Sequence, residues 1–211
     1  LVAALRYIKD PKIRLNPGDE IIVPAISWST TYNPLHQYGL HLKFVDVNSL
    51  TLNYDLNALS DAISDKTRAI MVVNLLGNPN DFDEIKRLTA NKNLVLIEDN
   101  SQSPGALVNN RMCGTIGDMG IQSLNYHKVI QTGEGGVIFT NNTKLANRMY
   151  MIRNHAEAIA RKKKTIQLNN MIGYNFRMGE IEAAMGIEQL KKMDKLVQKK
   201  RLSAELLSTE L

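Results

Sequence analysis

Leu94-Val95-Leu96-Ile97-Glu98-Asp99-Asn100-Ser101-Gln102-Ser103 carries a short apolar run straight into two carboxylates and a polar tail. Such a run, bounded by polar residues, reads as a strand buried on both faces, the kind found in parallel sheets. Asp99 then stands at the carboxyl end of the strand, where α/β proteins hold their ligands. Capping of the next helix is the other reading of the same carboxylate.

Upstream, short apolar runs alternate with amphipathic stretches. The turn Asn16-Pro17-Gly18-Asp19 precedes a strand over 20–24. A helix over 29–38, bent at Pro34 and closed by Gly39, leads to a strand over 42–47. Helices over 55–63 and 83–90 flank a strand over 69–73. Downstream, 121–124 and 136–140 read as strands around a glycine-rich loop, 145–154 as a helix, and 180–211 as one long charged helix. The βαβα alternation with short connections predicts an α/β fold, a three-layer sandwich around a mostly parallel mixed sheet. Residues 1–178 carry this alternation and its continuation, and 179–211 read as a helix leading out of it.

Composition narrows the function classes. The chain has 211 residues, 44% hydrophobic and 22% charged, which excludes a disordered or fibrous protein. No apolar run approaches the ~20 residues that span a bilayer. Leu1-Val2-Ala3-Ala4-Leu5-Arg6-Tyr7-Ile8 has neither the basic region nor the cleavage site of a signal peptide. Cys113 is the single cysteine, so no internal disulfide framework forms, in keeping with a cytoplasmic location. The net charge of +5 is uneven: residues 144–201 hold 14 Lys/Arg against 5 Asp/Glu, which is +9, leaving −4 elsewhere. Its densest run, Arg161-Lys162-Lys163-Lys164, reads as a solvated loop or as a site for an anionic ligand. Without interleaved aromatics or a zinc-finger or RNA-binding signature, nucleic acid is not the expected partner. No metal-ligand spacing stands out.

Two further strand ends carry chemistry. Ser123-Leu124-Asn125-Tyr126-His127-Lys128 runs into Thr132-Gly133-Glu134-Gly135-Gly136. A lysine held in a glycine-rich turn can be desolvated and made nucleophilic, although a lone lysine is more often simply solvated. The glycines are neither a Walker A loop nor a dinucleotide fingerprint. Trp28, the only tryptophan, follows the strand over 20–24, where an indole could stack on a flat ring or pack in the core. Acid, lysine and aromatic platform together make the parts list of a pyridoxal phosphate (PLP) site.

At these residues the chain resembles the DegT/DnrJ/EryC1/StrS sugar aminotransferases. Pro17-Gly18-Asp19-Glu20-Ile21-Ile22-Val23-Pro24 is similar to that family's P-G-D-E-V-I-V-P strand. Phe44-Val45-Asp46, Glu98-Asp99 and the segment Ser123 to Gly136 resemble its F-V-D, E-D and S-x-x-x-x-K-x-x-x-T-G-E-G-G motifs. Arg153-Asn154-His155 resembles its R-N-H-G, with Ala156 in place of the glycine, and Gly173-Tyr174-Asn175-Phe176-Arg177 its G-x-N-x-R.

The resemblance implies the large domain of a fold type I PLP enzyme. Lys128 takes the place of the lysine that bonds the cofactor and moves protons, and Asp99 that of the pyridine nitrogen's partner. Gln102 lies near the phenolic oxygen, Trp28 stacks on the ring, Ser123 binds the phosphate, and Asn175 reaches the phosphate of a neighbouring subunit in a homodimer. Lys162, Lys163 and Lys164 would meet the nucleotide diphosphate. The implied function is transfer of an amino group, from glutamate by resemblance, to a nucleotide-linked keto-deoxy sugar for cell-envelope glycan synthesis. Related dehydratases carry histidine at the lysine position, so Lys128 favours amine transfer, and His127 reads as a structural neighbour. A dehydratase of the same fold is the alternative, and a non-catalytic regulatory or interaction protein a third. The family's serine/glycine/threonine phosphate loop and its smaller C-terminal domain do not occur in the sequence, so the chain reads as an internal piece of a longer enzyme.

Overall fold

In the computed structural model, which describes residues 1–157 and 171–210, the chain opens with a short helix α1 (Val2–Tyr7). Strands β1 (Glu20–Pro24), β2 (His41–Val45), β3 (Thr67–Val73), β4 (Val95–Asp99), β7 (Met119–Ser123) and β8 (Gly136–Phe139) form one sheet. Its order is β2-β1-β3-β4-β7-β8; β8 runs antiparallel to β7 and every other neighbouring pair is parallel. The α/β fold with a mostly parallel mixed sheet is therefore as the alternation predicts.

Strand periodicity sorts the core into two halves. Odd-numbered Ile21, Val23, Ala69, Met71, Val73, Val95 and Ile97 pack with α1 and with residues of α2 (Ser29–Gln37) and α5 (Thr143–Arg153). Even-numbered Ile22, Ile70, Val72 and Leu96 pack with Leu59 and Ala62 of α3 (Leu56–Ala62) and with Phe82 and Ile85 of α4 (Phe82–Thr89). Helices thus cover both faces, which makes the third layer. Three of these helices start on side-chain caps: Asp55 accepts from the Asn57 and Ala58 amides, Asp81 from Glu84, and Asn142 from Leu145.

Two features depart from the sequence reading. A small hairpin, β5 (Leu107–Val108) and β6 (Arg111–Met112), turns through Asn109 and Asn110, both at positive φ (49° and 59°). Asparagine tolerates that conformation, which is what a two-residue hairpin turn requires. The expected single helix over 180–211 is instead α6 (Glu180–Leu190) and α7 (Met193–Glu210). The Lys192 amide bonds the Gln189 carbonyl three residues back, so the last turn tightens before the helix restarts. Neither α6 nor α7 buries a residue; Ile181, Ile187, Leu190, Leu202, Leu206 and Leu207 are exposed.

Candidate active site

Because β1, β3, β4 and β7 run parallel, their carboxyl ends open on one edge of the sheet. Trp28, Asp99 and Ser123 therefore leave from the same edge, on strands that sit about 5 Å apart from neighbour to neighbour. Trp28 immediately precedes α2 and is 66% exposed, so it is not a core residue. Gln102 lies in the loop after β4, and Lys128 in the loop after β7.

Asp99 is buried, and its register partners are Val73 on β3 and Ile121 on β7. Its Oδ2 accepts from the Thr31 hydroxyl at 2.8 Å and its Oδ1 from the Ser101 amide at 3.1 Å. Among the described residues no lysine, arginine or histidine pairs with it. A buried carboxylate held by two neutral donors has acceptor capacity to spare for a cation. Capping of a following helix is not its role, because β4 leads into a loop and the β5–β6 hairpin rather than a helix.

The loop that carries Lys128 is stitched shut at its base. The Leu124 amide donates to the Gly135 carbonyl and the Thr132 amide to the Leu124 carbonyl, both at 2.9 Å, and the Asn125 side chain donates to Glu134 at 2.5 Å. Gly133 has φ 79°, and a Cβ on Gly135 would come within 2.6 Å of the Thr132 hydroxyl, so this closure calls for glycine at both positions. At the tip, the Lys128 amide bonds the Asn125 carbonyl at 2.9 Å in a tight turn. Lys128 is half-buried, whereas His127 is exposed and packs edge-on against exposed Tyr126.

Gln102 Oε1 accepts from the Leu76 amide at 3.1 Å, which orients the carboxamide and leaves its Nε2 as the free donor among the described contacts. Leu76 itself is at φ 52°, a left-handed conformation unusual for leucine, in the loop that leaves β3.

Asn175 is held by the segment that follows α5. It pairs with Asn154 in an isolated bridge; the Tyr174 amide donates to Ile152 at 2.7 Å and the Phe176 amide to Arg153 at 3.0 Å. The Tyr174 hydroxyl is 3.2 Å from that of Tyr38, at the end of α2 opposite Trp28. This zipper also accounts for the family's glycine where Ala156 stands: Ala156 has φ 62°, the left-handed region that glycine enters without strain. Lys162, Lys163 and Lys164 lie outside the described residues.

Sequence reasoning missed the polar frame behind the site. Asn74 donates to Asn100 at 3.2 Å, Asn100 to Gln122 at 3.1 Å, and Gln122 to the Ser123 carbonyl at 3.2 Å. This buried ladder of amides locks the ends of β3, β4 and β7 together. Thr31 was missed as well. Their residue types carry no signal of their own, since the pairings join distant parts of the chain.

The DegT/DnrJ/EryC1/StrS aminotransferase family model matches residues 2–211. The chain is 44% identical to GDP-4-keto-6-deoxy-D-mannose 3-dehydratase of Escherichia coli O55:H7 over 97% of its own length and 56% of that protein's. It is 34% identical to GDP-perosamine synthase of Escherichia coli O157:H7 over 91% of its length and 52% of that protein's. A solved structure of the E. coli dehydratase with bound hydrated PLP superposes with a TM-score of 0.88 at 43% identity, covering 97% of this chain and 55% of that one. The chain thus spans about half the length of the curated relatives it matches.

Proposed function

The chain belongs to the DegT/DnrJ/EryC1/StrS aminotransferase family, a family of PLP-dependent enzymes, and from that premise we propose that it is the cofactor-binding part of an enzyme acting on a GDP-linked 4-keto-6-deoxysugar. The leading reading is 3-dehydration, carried by the 44% identity across 97% of the chain, against 34% for the perosamine synthase. Amine transfer, which the sequence alone put first, becomes the second reading. One observation favours it: Lys128, not a histidine, occupies the half-buried position at the tip of the closed loop.

The strand-end residues fit PLP. When bound, PLP supplies an aldehyde and an electron-withdrawing ring. Asp99, with its spare acceptor capacity, would hold the proton at the ring nitrogen. Trp28 would cover the ring face, the Gln102 Nε2 would donate toward the phenolic oxygen, and the Ser123 hydroxyl toward the phosphate. Lys128 would anchor the cofactor, and its Nζ would take and return a proton. Asn175 would reach the phosphate of the neighbouring subunit in a homodimer. The lysines at 162–164 would meet the nucleotide diphosphate, and the enzyme would work in the cytoplasm.

Product analysis decides between the readings. Full-length protein given GDP-4-keto-6-deoxymannose, PLP and glutamate should yield a 3-deoxy sugar if it dehydrates, and a 4-amino sugar if it transfers nitrogen. Formation of the amino sugar with the C3 hydroxyl retained would reverse the order of the two readings. A protein that neither binds PLP nor changes the sugar would be the non-catalytic third case.

A further inference from the structure

Three hydroxyl and carboxyl groups line up behind the Trp28 turn. Thr31, buried on the first turn of α2, has its Oγ1 2.8 Å from Asp99 Oδ2, and the Ser27 hydroxyl lies 2.9 Å from the same Oγ1. Their order follows from proton counting. An ionised carboxylate only accepts, and a threonine hydroxyl has one proton, so Thr31 donates to Asp99 and Ser27 donates to Thr31. The Tyr32 hydroxyl donates to the Pro24 carbonyl at 2.7 Å, which holds the same turn against the end of β1.

We infer that Thr31, backed by Ser27, is a positioning residue that sets the orientation and hydrogen bonding of Asp99 and couples it to the turn bearing Trp28. The inference rests on the reading of Asp99 as the partner of the ring nitrogen. With the Ser101 amide on Oδ1 and Thr31 on Oδ2, both carboxylate oxygens are fixed. A hydroxyl fixed on Oδ2 sets the direction in which the carboxylate can accept from the N–H of the ring. Because Ser27 and Thr31 bracket Trp28, movement of the ring-stacking turn and loss of this donor are one event. Sequence distance conceals the pair: Thr31 and Asp99 are 68 residues apart.

The test uses full-length protein loaded with PLP labelled with ¹⁵N in the ring. Thr31→Val keeps the shape and removes the donor. The ¹⁵N resonance should move toward the unprotonated position, and cofactor affinity should fall about tenfold, the effect of one charge-assisted hydrogen bond. Thr31→Ser, which keeps the hydroxyl, should restore both. Ser27→Ala should shift the resonance in the same direction by a smaller amount, and it carries the test if Thr31→Val does not fold. In the Asp99→Asn background Thr31→Val should add little, because its effect runs through Asp99. Unchanged resonance and affinity in Thr31→Val, while Asp99→Asn alters both, would overturn the positioning role alone. If Asp99→Asn changes neither, the reading of Asp99 fails first, and the role of Thr31 with it.

Discussion

Glu98 and Asp99 are consecutive carboxylates on β4, both buried, and they face opposite sides of the sheet. On the even-numbered side Glu98 accepts from the backbone amides of Gly114, Ile116 and Gly117, the loop that feeds β7. Three of its roughly four acceptor sites are taken by the fold. On the odd-numbered side Asp99 has, among the described residues, only Thr31 and Ser101 as donors, and it stands at the edge where Trp28 and Ser123 emerge. Equal burial and equal charge therefore do not mean equal roles. What separates the two is how many donors the protein itself supplies, and so how much capacity is left for a ligand.

The largest effect should come from the side that the fold consumes. Glu98→Gln puts an amide nitrogen among three N–H donors, and we expect a loss of roughly 3–5 kcal/mol in denaturant unfolding. Asp99→Asn should leave stability within ~1 kcal/mol and lower the turnover of the full-length enzyme about 100-fold or more. If both substitutions destabilise alike, or both spare turnover, the contrast across β4 is wrong.

A third measurement sharpens the contrast through Cys113. Burial first, and the nearby Glu98 charge second, push its thiol from 9.0 up to about 11. The unfolded chain releases that proton first, so this contribution to stability is present below pH 9 and is lost as the pH rises toward 11. Alkylation of the native protein at pH 8 should be slow, and faster in Glu98→Gln; equal rates would mean that Glu98 does not bear on Cys113. The smallest effect lies off β4. Ala156→Gly should stabilise the protein by about 1 kcal/mol by relieving the left-handed alanine, and thermal unfolding would show it as a small rise in midpoint.

The sheet was legible because buried parallel strands must be apolar, and runs such as Ile21-Ile22-Val23 and Val95-Leu96-Ile97 announce themselves. Candidate site residues could be named where a motif travels in one segment, as from Ser123 to Gly136. The helix break at Lys191-Lys192 was not, because no proline or glycine marks it and both lysines suit a helix. The Asn109-Asn110 turn carried a signal in its two asparagines that went unread. Thr31 and the amides of Asn74, Asn100 and Gln122 could not be found this way, since each matters through a partner that only folding brings near.

The strand order β2-β1-β3-β4-β7-β8 also bears on how the protein is made. Once β1 and β2 have paired, β3, β4, β7 and β8 each join the same advancing edge in the order in which they leave the ribosome. No later strand has to be inserted between two already in place, so the sheet can grow during synthesis, N-terminal part first. At each stage the strand added last presents an unpaired row of amides and carbonyls, and among the described residues β8 is the strand that finally does so. Ser123 ends β7 and the lysine loop closes only when β8 pairs with it, so the nascent chain acquires its chemical edge at the moment β8 joins the sheet.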